Sequence, residues 1–147
     1  MAQNINAEVK LKDFITKLAS RGYRAREVSK KPQIYSVNDE LVNIRSRGKP
    51  RETADGSRSF WYDVAFSVLR KVKWIIYIAT DSDYFVMLPT SFLDSLKDHM
   101  YPNRRNAGTG VFYIDWDSLA IELSQGERIS ISEYYHNLIE PECYPEF

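Results

Sequence analysis

A run of cations between residues 45 and 58 is the feature of the sequence that most directly suggests a chemistry. Five basic side chains lie on this segment: Arg45, Arg47, Lys49, Arg51 and Arg58. Such a density of basic side chains is typical of surfaces that grip the phosphate backbone of a nucleic acid. Arg104 and Arg105 lie in a second segment, rich in Gly and Asn, and are predicted to add a further contact.

Two aromatic residues, Trp61 and Tyr62, adjoin the cationic segment. Aromatic side chains in this position could add stacking or wedge contacts to a nucleic acid. Packing in the core is the commoner role of such residues, so both roles stay open from the sequence alone.

The elements that must position these residues begin with a β-hairpin. Residues 33–37 read as its first strand, residues 38–40 as the turn and residues 41–47 as the returning strand. Alternation along the second strand predicts that only one of its faces is buried. The predicted buried face carries Val42, Ile44 and Ser46, and the opposite face carries Asn43, Arg45 and Arg47.

Further elements surround this hairpin. A helix is expected between a capping Asn6 and Gly22. The basic residues on its outer face and in the segment that follows it either face solvent or contact a polyanion. Strands are predicted at residues 60–66, 73–80, 84–88 and 111–114, with a loop at residues 48–59. A pattern like a capping box at Ser91 and Asp94 predicts a short helix to about His99. Residues 116–123 and 129–139 are ambiguous.

The order of these elements predicts one domain, residues 1–147, of the α/β or α+β class. Its mixed central β-sheet is expected to be flanked by helices, with much of the later chain adding strands to that same sheet. No apolar run is long enough to span a bilayer and the N-terminus is polar, so a cytoplasmic protein without a membrane partner is expected.

The net charge of zero conceals an uneven distribution along the chain. Residues 1–75 hold 16 Lys and Arg against 8 Asp and Glu, a balance of +8, whereas residues 76–147 hold 4 against 12, a balance of −8. Such a division suggests an anionic partner, with nucleic acid first, although the two halves could also interleave in space and cancel.

Several kinds of catalytic site are disfavoured by the residues. The chain has no glycine-rich phosphate loop, no nucleophile elbow and no His pair at helical spacing. His99 and His136 have no acidic or Cys partner at ligand spacing and are predicted to be structural or on the surface. Cys143 has no nearby cation to lower its pKa, which argues against a catalytic thiolate.

The predicted elements follow a recognisable order: a first helix with an early Glu, a hairpin whose second strand ends in basic residues, an aromatic strand, and an apolar strand leading into Tyr-Phe-Val-Met-Leu-Pro-Thr-Ser-Phe-Leu. Over about residues 7–97 this succession resembles the PD-(D/E)XK nuclease-like superfamily. The resemblance implies a restriction-endonuclease-like fold. Members are mostly Mg²⁺-dependent DNA endonucleases of restriction, repair and homing types, and some only bind DNA.

In such a site, carboxylates hold a divalent cation, and a lysine two residues from one of them orients the attacking water. The resemblance places Asn43 and Arg45 at the positions of the acid and the lysine. Asparagine is a weak neutral ligand, and arginine stays charged and cannot transfer a proton. Glu8 and Asp63 are the candidates to complete a Mg²⁺ site. The alternatives are an ion pair of Asp63 with Arg45 and a helix-dipole interaction of Glu8.

Three functions follow from these observations. The preferred hypothesis is a double-stranded-DNA-binding protein of nuclease-like fold with a degenerate active site. The second is an active Mg²⁺-dependent endonuclease that uses Asp63, Glu8 and Asn43, with Arg45 stabilising the phosphate. The third is a homo-oligomeric interaction module, in which the basic half of one chain meets the acidic half of another.

Overall fold

The computed structural model describes residues 6–46, 49–50, 59–79 and 84–147. In this part of the chain, three layers are stacked: one helix, a first β-sheet and a second β-sheet. The fold is therefore mixed α+β and consists mostly of strands, as the predicted class requires.

Two α-helices and twelve strands are described. The helices are α1 (Asn6–Ser20) and α2 (Thr90–Leu96). The strands are β1 (Ala25–Lys30), β2 (Gln33–Val37), β3 (Glu40–Arg45), β4 (Lys49–Pro50), β5 (Ser59–Ala65), β6 (Trp74–Ile78), β7 (Tyr84–Pro89), β8 (Tyr101–Pro102), β9 (Thr109–Asp115), β10 (Ala120–Glu122), β11 (Arg128–Ser130) and β12 (Tyr135–Asn137). Short 3₁₀ helices lie at Val68–Arg70, Lys97–His99, Ser132–Tyr134 and Pro141–Cys143.

The first sheet is mixed and has the order β1-β2-β3-β6-β7-β12. Its parallel pair is β3 with β6, and the other neighbours are antiparallel. Strand β6 is apolar on both faces because it lies inside the sheet and is covered from both sides. The predicted hairpin of β2 and β3 and the predicted central position of β6 are confirmed.

The second sheet has the order β11-β10-β9-β5-β4, with β8 also paired to β9. All of its pairs are antiparallel, and β5 lies beside β9 from the pair of Ser59 and Asp115 to the pair of Ala65 and Thr109. The prediction that the strand at residues 60–66 joins the sheet of the hairpin is therefore wrong. Alternation identifies a strand and its buried face, but it does not identify the strand's partner.

Two apolar cores separate the layers. Leu11, Phe14 and Leu18 of α1 pack on the first sheet, where the ring of Phe14 meets the edge of Phe85 at a centroid distance of 4.9 Å. Between the sheets, Tyr62 packs against Tyr77 at 5.1 Å, and its hydroxyl donates a hydrogen bond of 3.0 Å to the carbonyl of Ile78. Tyr62 is thus a core residue, which decides between its two predicted roles.

The hairpin turn is tighter than the sequence suggested. Asn38 and Asp39 have positive φ angles of 48° and 70°, as a two-residue hairpin turn requires, and Glu40 already belongs to β3. The prediction of a half-buried β3 is wrong, because the second sheet covers the face that carries Asn43, which is only 3% exposed.

Strand β1 was not predicted at all. Its residues are mostly polar or charged, and the sequence indicated only a basic segment after the first helix. As an edge strand it has no partner on one side among the described residues, and charged side chains at such an edge oppose pairing with other chains.

The second helix also begins differently from the prediction. It starts at Thr90 after an extended Pro89, without a side-chain cap, so the capping box expected from Ser91 does not form. The Thr90 hydroxyl instead donates a hydrogen bond of 3.0 Å to the carbonyl of Val72, which ties the helix to the chain before β6.

Across the described residues, no helix is both long and apolar enough to cross a membrane.

The interface between α1 and the first sheet gives a test of the layer arrangement. Leu18 is fully buried, so Leu18→Ala should lower the free energy of unfolding by about 2–5 kcal/mol. Val9 lies on the same helix but is 54% exposed, so Val9→Ala should change it by no more than about 0.5 kcal/mol. Urea titration of both variants measures the difference, and equal losses would contradict this packing.

Candidate nucleic-acid interface

Arg45 is positioned by the parallel pairing of β3 with β6, which places it opposite Tyr77. Its guanidinium donates a hydrogen bond to the carboxylate of Asp63 on β5. The two side chains are 34% and 33% exposed, and the Tyr77 hydroxyl donates to the Asp63 carbonyl at 3.3 Å. The predicted alternative, an ion pair, is therefore present, and it joins the two sheets rather than neighbouring strands.

Tyr77 is the buried part of this junction. Burial raises the pKa of its hydroxyl well above the ordinary value, with the nearby charge of Arg45 acting in the opposite direction. The hydroxyl consequently stays protonated and acts as a donor to the second sheet. Its role at this position is to hold the sheets together.

Asn43 is used by the hairpin itself. The side chain is buried, and its Nδ2 donates a hydrogen bond of 2.6 Å to the carbonyl of Gln33 on β2. A buried polar group needs such a partner, and an amide supplies the donor that a carboxylate would lack. This contact accounts for asparagine at a position where the resemblance implies an acid.

Glu8 lies in the first turn of α1, where a negative charge interacts favourably with the helix dipole. Its side chain is 79% exposed and lies 3.8 Å from the ammonium of Lys12. Glu8 and Arg45 both line a shallow pocket beside the start of α1, whereas Asp63 does not line it.

Asn43, Asp63 and Glu8 do not fit a Mg²⁺ site as they are placed. The Asp63 carboxylate binds the Arg45 guanidinium, the Asn43 amide is engaged in the hairpin, and Glu8 lies beside Lys12. In the ranges that the structure describes, no group of three or more His, Cys, Asp and Glu side chains is placed to hold a metal ion. Mg²⁺ needs several oxygen ligands at close range, so no catalytic step through a metal follows from this geometry.

The two histidines and the cysteine have local partners. His99 Nδ1 lies 3.0 Å from a carboxylate oxygen of Glu127, and His136 stacks on Phe85 while its Nδ1 lies 3.1 Å from the Cys143 carbonyl oxygen. Burial and the charges of Glu140 and Glu142 raise the pKa of the Cys143 thiol, which opposes a catalytic thiolate, as predicted.

The outer side of the second sheet carries a set of aromatic and apolar side chains that we call the aromatic face. Its members are Trp61, Tyr101, Val111 and Tyr113. Alternation assigns them to this side, because their neighbours on β5 and β9, such as Tyr62 and Phe112, fill the core between the sheets. Each member is partly buried rather than fully exposed.

Strand pairing brings the members of the aromatic face together. Trp61 lies opposite Tyr113, and Tyr101 lies opposite Val111. The rings of Tyr101 and Tyr113 meet at 5.5 Å and 87°, so the edge of one ring contacts the face of the other. Together with Pro102, Asn103 and two arginines, they line an open cavity of about 490 Å³.

Those arginines are Arg104 and Arg105, on the loop between β8 and β9. Asparagine side chains shape this loop: the Asn103 carboxamide oxygen accepts from the backbone N–H of Arg105 at 3.0 Å, and that of Asn106 accepts from Gly108 at 3.1 Å. Both arginines are exposed, and neither guanidinium forms an ion pair with another described residue. The structure thus brings Trp61 together with the predicted second contact.

Gly110 on β9 makes room for the chain that enters β8. A Cβ at this position would lie 2.6 Å from Sδ of Met100 and 3.1 Å from the ring of Phe66. Only glycine allows so close an approach without displacing those side chains. The absence of a Cβ at Gly110 allows Met100 to pack directly against β9, next to Tyr101.

The carboxylates near the aromatic face have cationic partners. Arg128 lies 2.8 Å from Asp115 and 3.6 Å from Glu122, and Asp63 is paired with Arg45. Although burial acts to raise it, the pKa of Asp115 is lowered by its hydrogen bonds from Arg128 and Ser118. Two cations thus face three carboxylates here, and none of the three forms an ion pair with Arg104 or Arg105 among the described residues.

Of the predicted basic patch between residues 45 and 58, only Arg45 and the backbone of Lys49 belong to the described part of the chain. The backbone pairing of β4 with β5 places Lys49 opposite Trp61. Arg47, Arg51, Arg58 and the Lys49 side chain lie outside the described part of the chain. Sequence reasoning missed Tyr101 and Tyr113, although the alternation of β9 was the signal that could have assigned Tyr113 to an outer face.

Comparisons of this chain with protein-family models, with curated proteins and with solved structures returned no match.

The ion pair between the sheets can be measured by a double-mutant cycle of Arg45→Gln and Asp63→Asn. The pair is one-third exposed, so its coupling free energy should be about 1–2 kcal/mol, between the values typical of exposed and buried pairs. The control is Lys73 with Glu40, 3.1 Å apart and 58% and 34% exposed, where less than about 1 kcal/mol is expected. Equal coupling in both cycles would show that the junction is no stronger than a surface contact.

Proposed function

We propose that this protein binds double-stranded DNA and that it is a PD-(D/E)XK nuclease-like domain with a degenerate active site. The observation that carries the binding is the pair Arg104 and Arg105. Both are exposed beside the aromatic face, and neither has an acidic partner among the described residues.

The pairing of the other Lys and Arg residues in the acidic half, residues 76–147, sets Arg104 and Arg105 apart. Residues 76–147 contain only four Lys and Arg against twelve acids. Lys97 lies 3.5 Å from Asp94, and Arg128 is bound by Asp115. The two cations that remain are adjacent in sequence and lie on one loop. In an acidic segment, two unneutralised arginines at one site are better explained by an anionic ligand than by solubility.

Phosphate is the anion that fits this arrangement best. A guanidinium donates two parallel hydrogen bonds to a phosphate and keeps its charge at any physiological pH. In the sequence, the basic segment of residues 45–58 directly precedes β5, which contributes Trp61 to the aromatic face. A polyanion with many phosphates can use cations of two segments, whereas a single small anion needs only one of them.

A degenerate active site is supported by the structural contacts of Asn43 and Arg45. Asn43 and Arg45 lie where the resemblance implies the acid and the lysine, and both have structural partners. The mixed first sheet, the hairpin and the preceding α1 support a nuclease-like arrangement. Because Arg45 already neutralises Asp63, the same pair that stabilises the junction of the sheets opposes metal binding.

The variant Arg104→Gln/Arg105→Gln tests the proposal. It should weaken binding to duplex DNA at low salt by about tenfold or more, because charge-assisted hydrogen bonds to phosphate are lost. The slope of log affinity against log salt should fall by about 2, one unit for each phosphate contact. Fluorescence anisotropy with a labelled duplex, in Mg²⁺ and in EDTA, measures both quantities. Binding should be equal in the two buffers and the DNA should stay intact.

The matched control is Arg24→Gln/Arg26→Gln, which removes two exposed arginines at the other end of the molecule, beside β1. It changes the net charge equally and should leave most of the affinity and slope unchanged. Equal losses in the two variants would overturn the site. Cleavage with Mg²⁺ that EDTA and Asp63→Asn abolish would establish an active endonuclease instead. A salt-dissociable oligomer without affinity for DNA would establish the interaction module.

A further inference from the structure

We infer that the loop between β8 and β9, residues 103–108, enters the minor groove of the duplex, so that the protein prefers A·T-rich DNA. This inference rests on the proposed DNA binding and names the part of the duplex that Arg104 and Arg105 recognise. Contacts to phosphate alone carry no sequence preference, and the minor groove supplies one.

The loop projects from the second sheet and is slim. Five consecutive residues, 104–108, are exposed. At the base of the loop, Pro102 pairs with Gly110 across the two strands, and the limb that follows the arginines contains the small residues Ala107 and Gly108. The minor groove is about 6 Å wide and admits only a narrow element, whereas the wider major groove admits a helix or a two-stranded ribbon.

Hydrogen bonds within the loop hold it in one shape. The backbone N–H of Asn106 donates to the carbonyl of Asn103 at 3.2 Å, and the Thr109 hydroxyl donates to the carbonyl of Asn106 at 2.9 Å. The carboxamide oxygens of both asparagines accept from backbone N–H groups of the loop. Those oxygens are the acceptors with which asparagine reads adenine in the major groove. The asparagines therefore shape the loop, and contact with DNA falls to the two arginines.

Arginine is the cation that suits the minor groove. The guanidiniums of Arg104 and Arg105 form no ion pair with another described residue. Runs of A·T pairs narrow the groove and strengthen its negative potential, which attracts inserted cations. A guanidinium is more weakly hydrated than an ammonium, so it loses less hydration on entering the groove.

The floor of the minor groove gives the sequence preference. A·T pairs present only acceptors there, whereas a G·C pair adds the N2 amino group of guanine, which is a donor. A guanidinium has donors and no acceptor, so it can bond to the floor of an A·T segment but is opposed by the amino group of guanine.

The described helices are less suited to the major groove than the loop is to the minor groove. One face of α1 packs on the first sheet. On its outer side, the Lys12 ammonium lies 3.8 Å from Glu8 and the Lys17 ammonium lies 3.0 Å from Asp13, so these cations are already paired. The other helix, α2, spans only seven residues.

A minor-groove contact is compatible with the salt dependence of the proposed binding. A cation in this groove still neutralises the charge of the two backbones that border it, so counterions are released as for a phosphate contact. The five donors of each guanidinium allow it to bond to a base edge and to a bordering phosphate at once. The preference for A·T pairs therefore adds to the phosphate contacts and does not replace them.

The experiment compares three duplexes of equal length and equal flanks that differ in a central segment of A·T, G·C or inosine·C pairs. Inosine keeps the N7 and O6 acceptors of guanine in the major groove but lacks the N2 amino group in the minor groove. Affinities are measured by fluorescence anisotropy at low salt for the wild type, Arg104→Lys/Arg105→Lys and Arg104→Gln/Arg105→Gln.

The wild type should bind the A·T and inosine·C duplexes at least about fivefold more tightly than the G·C duplex, the lower end of the effect of one unfavourable base pair. Arg104→Lys/Arg105→Lys keeps both charges, so its affinity for the G·C duplex should stay within about twofold of the wild type. This variant should lose most of the preference, because the ammonium is more strongly hydrated. Arg104→Gln/Arg105→Gln should lose the preference and affinity for all three duplexes.

Equal wild-type affinity for the three duplexes would overturn the minor-groove contact while leaving the proposed DNA binding intact. Tighter binding of the G·C and inosine·C duplexes than of the A·T duplex would also overturn it, because the arginines would then read guanine from the major groove. A preference for A·T and inosine·C pairs that survives in Arg104→Gln/Arg105→Gln would assign the contact to another part of the chain. Absence of binding to every duplex would refute both the inference and the proposed function.

Discussion

The first sheet is covered on both faces, and this constraint determines how the polar residues of β3 are used. Because α1 covers one face and the second sheet covers the other, no side chain of the strand's interior can be satisfied by water alone. Asn43 therefore bonds to the neighbouring strand, whereas Arg45, at the end of β3 and one-third exposed, reaches Asp63 on the other sheet. Residues in positions suggestive of catalysis thus act as structural links between layers.

The link between Arg45 and Asp63 also explains how β5 connects the first sheet with the aromatic face. Asp63 and Trp61 are two residues apart on β5 and therefore lie on the same face of the strand, about 7 Å apart. One of them fixes β5 to the first sheet through Arg45, and the other contributes to the aromatic face. Attachment of a strand at a point beside a surface patch restricts the geometry of that patch. The ion pair between the sheets therefore helps to fix the position of β5, and with it of Trp61.

The sequence predicts the elements of this fold better than their arrangement. The hairpin of β2 and β3, the apolar β6 and the alternating β5 each have a local signal, and all three are present. Strand β1 has no such signal, because edge strands are rich in charged residues that resemble a loop. The division into two sheets depends on β5 pairing with β9, some fifty residues later, and alternation contains no information about that pairing. The aromatic face depends on the same pairing: alternation along β9 could assign Tyr113 to an outer face, but it could not show that Trp61 and Tyr101 lie beside it.

The uneven charge along the chain does not become two charged ends in space. Each sheet combines strands from both halves, with β5 of the basic half beside β9 of the acidic half. The ion pairs at the aromatic face nevertheless join residues of the same half, Arg45 with Asp63 and Arg128 with Asp115. Arg128 therefore pairs with acids of its own half, in which twelve acids outnumber four cations. Interleaving the halves thus brings strands of both halves together within each sheet, which a count of charges along the sequence would not show.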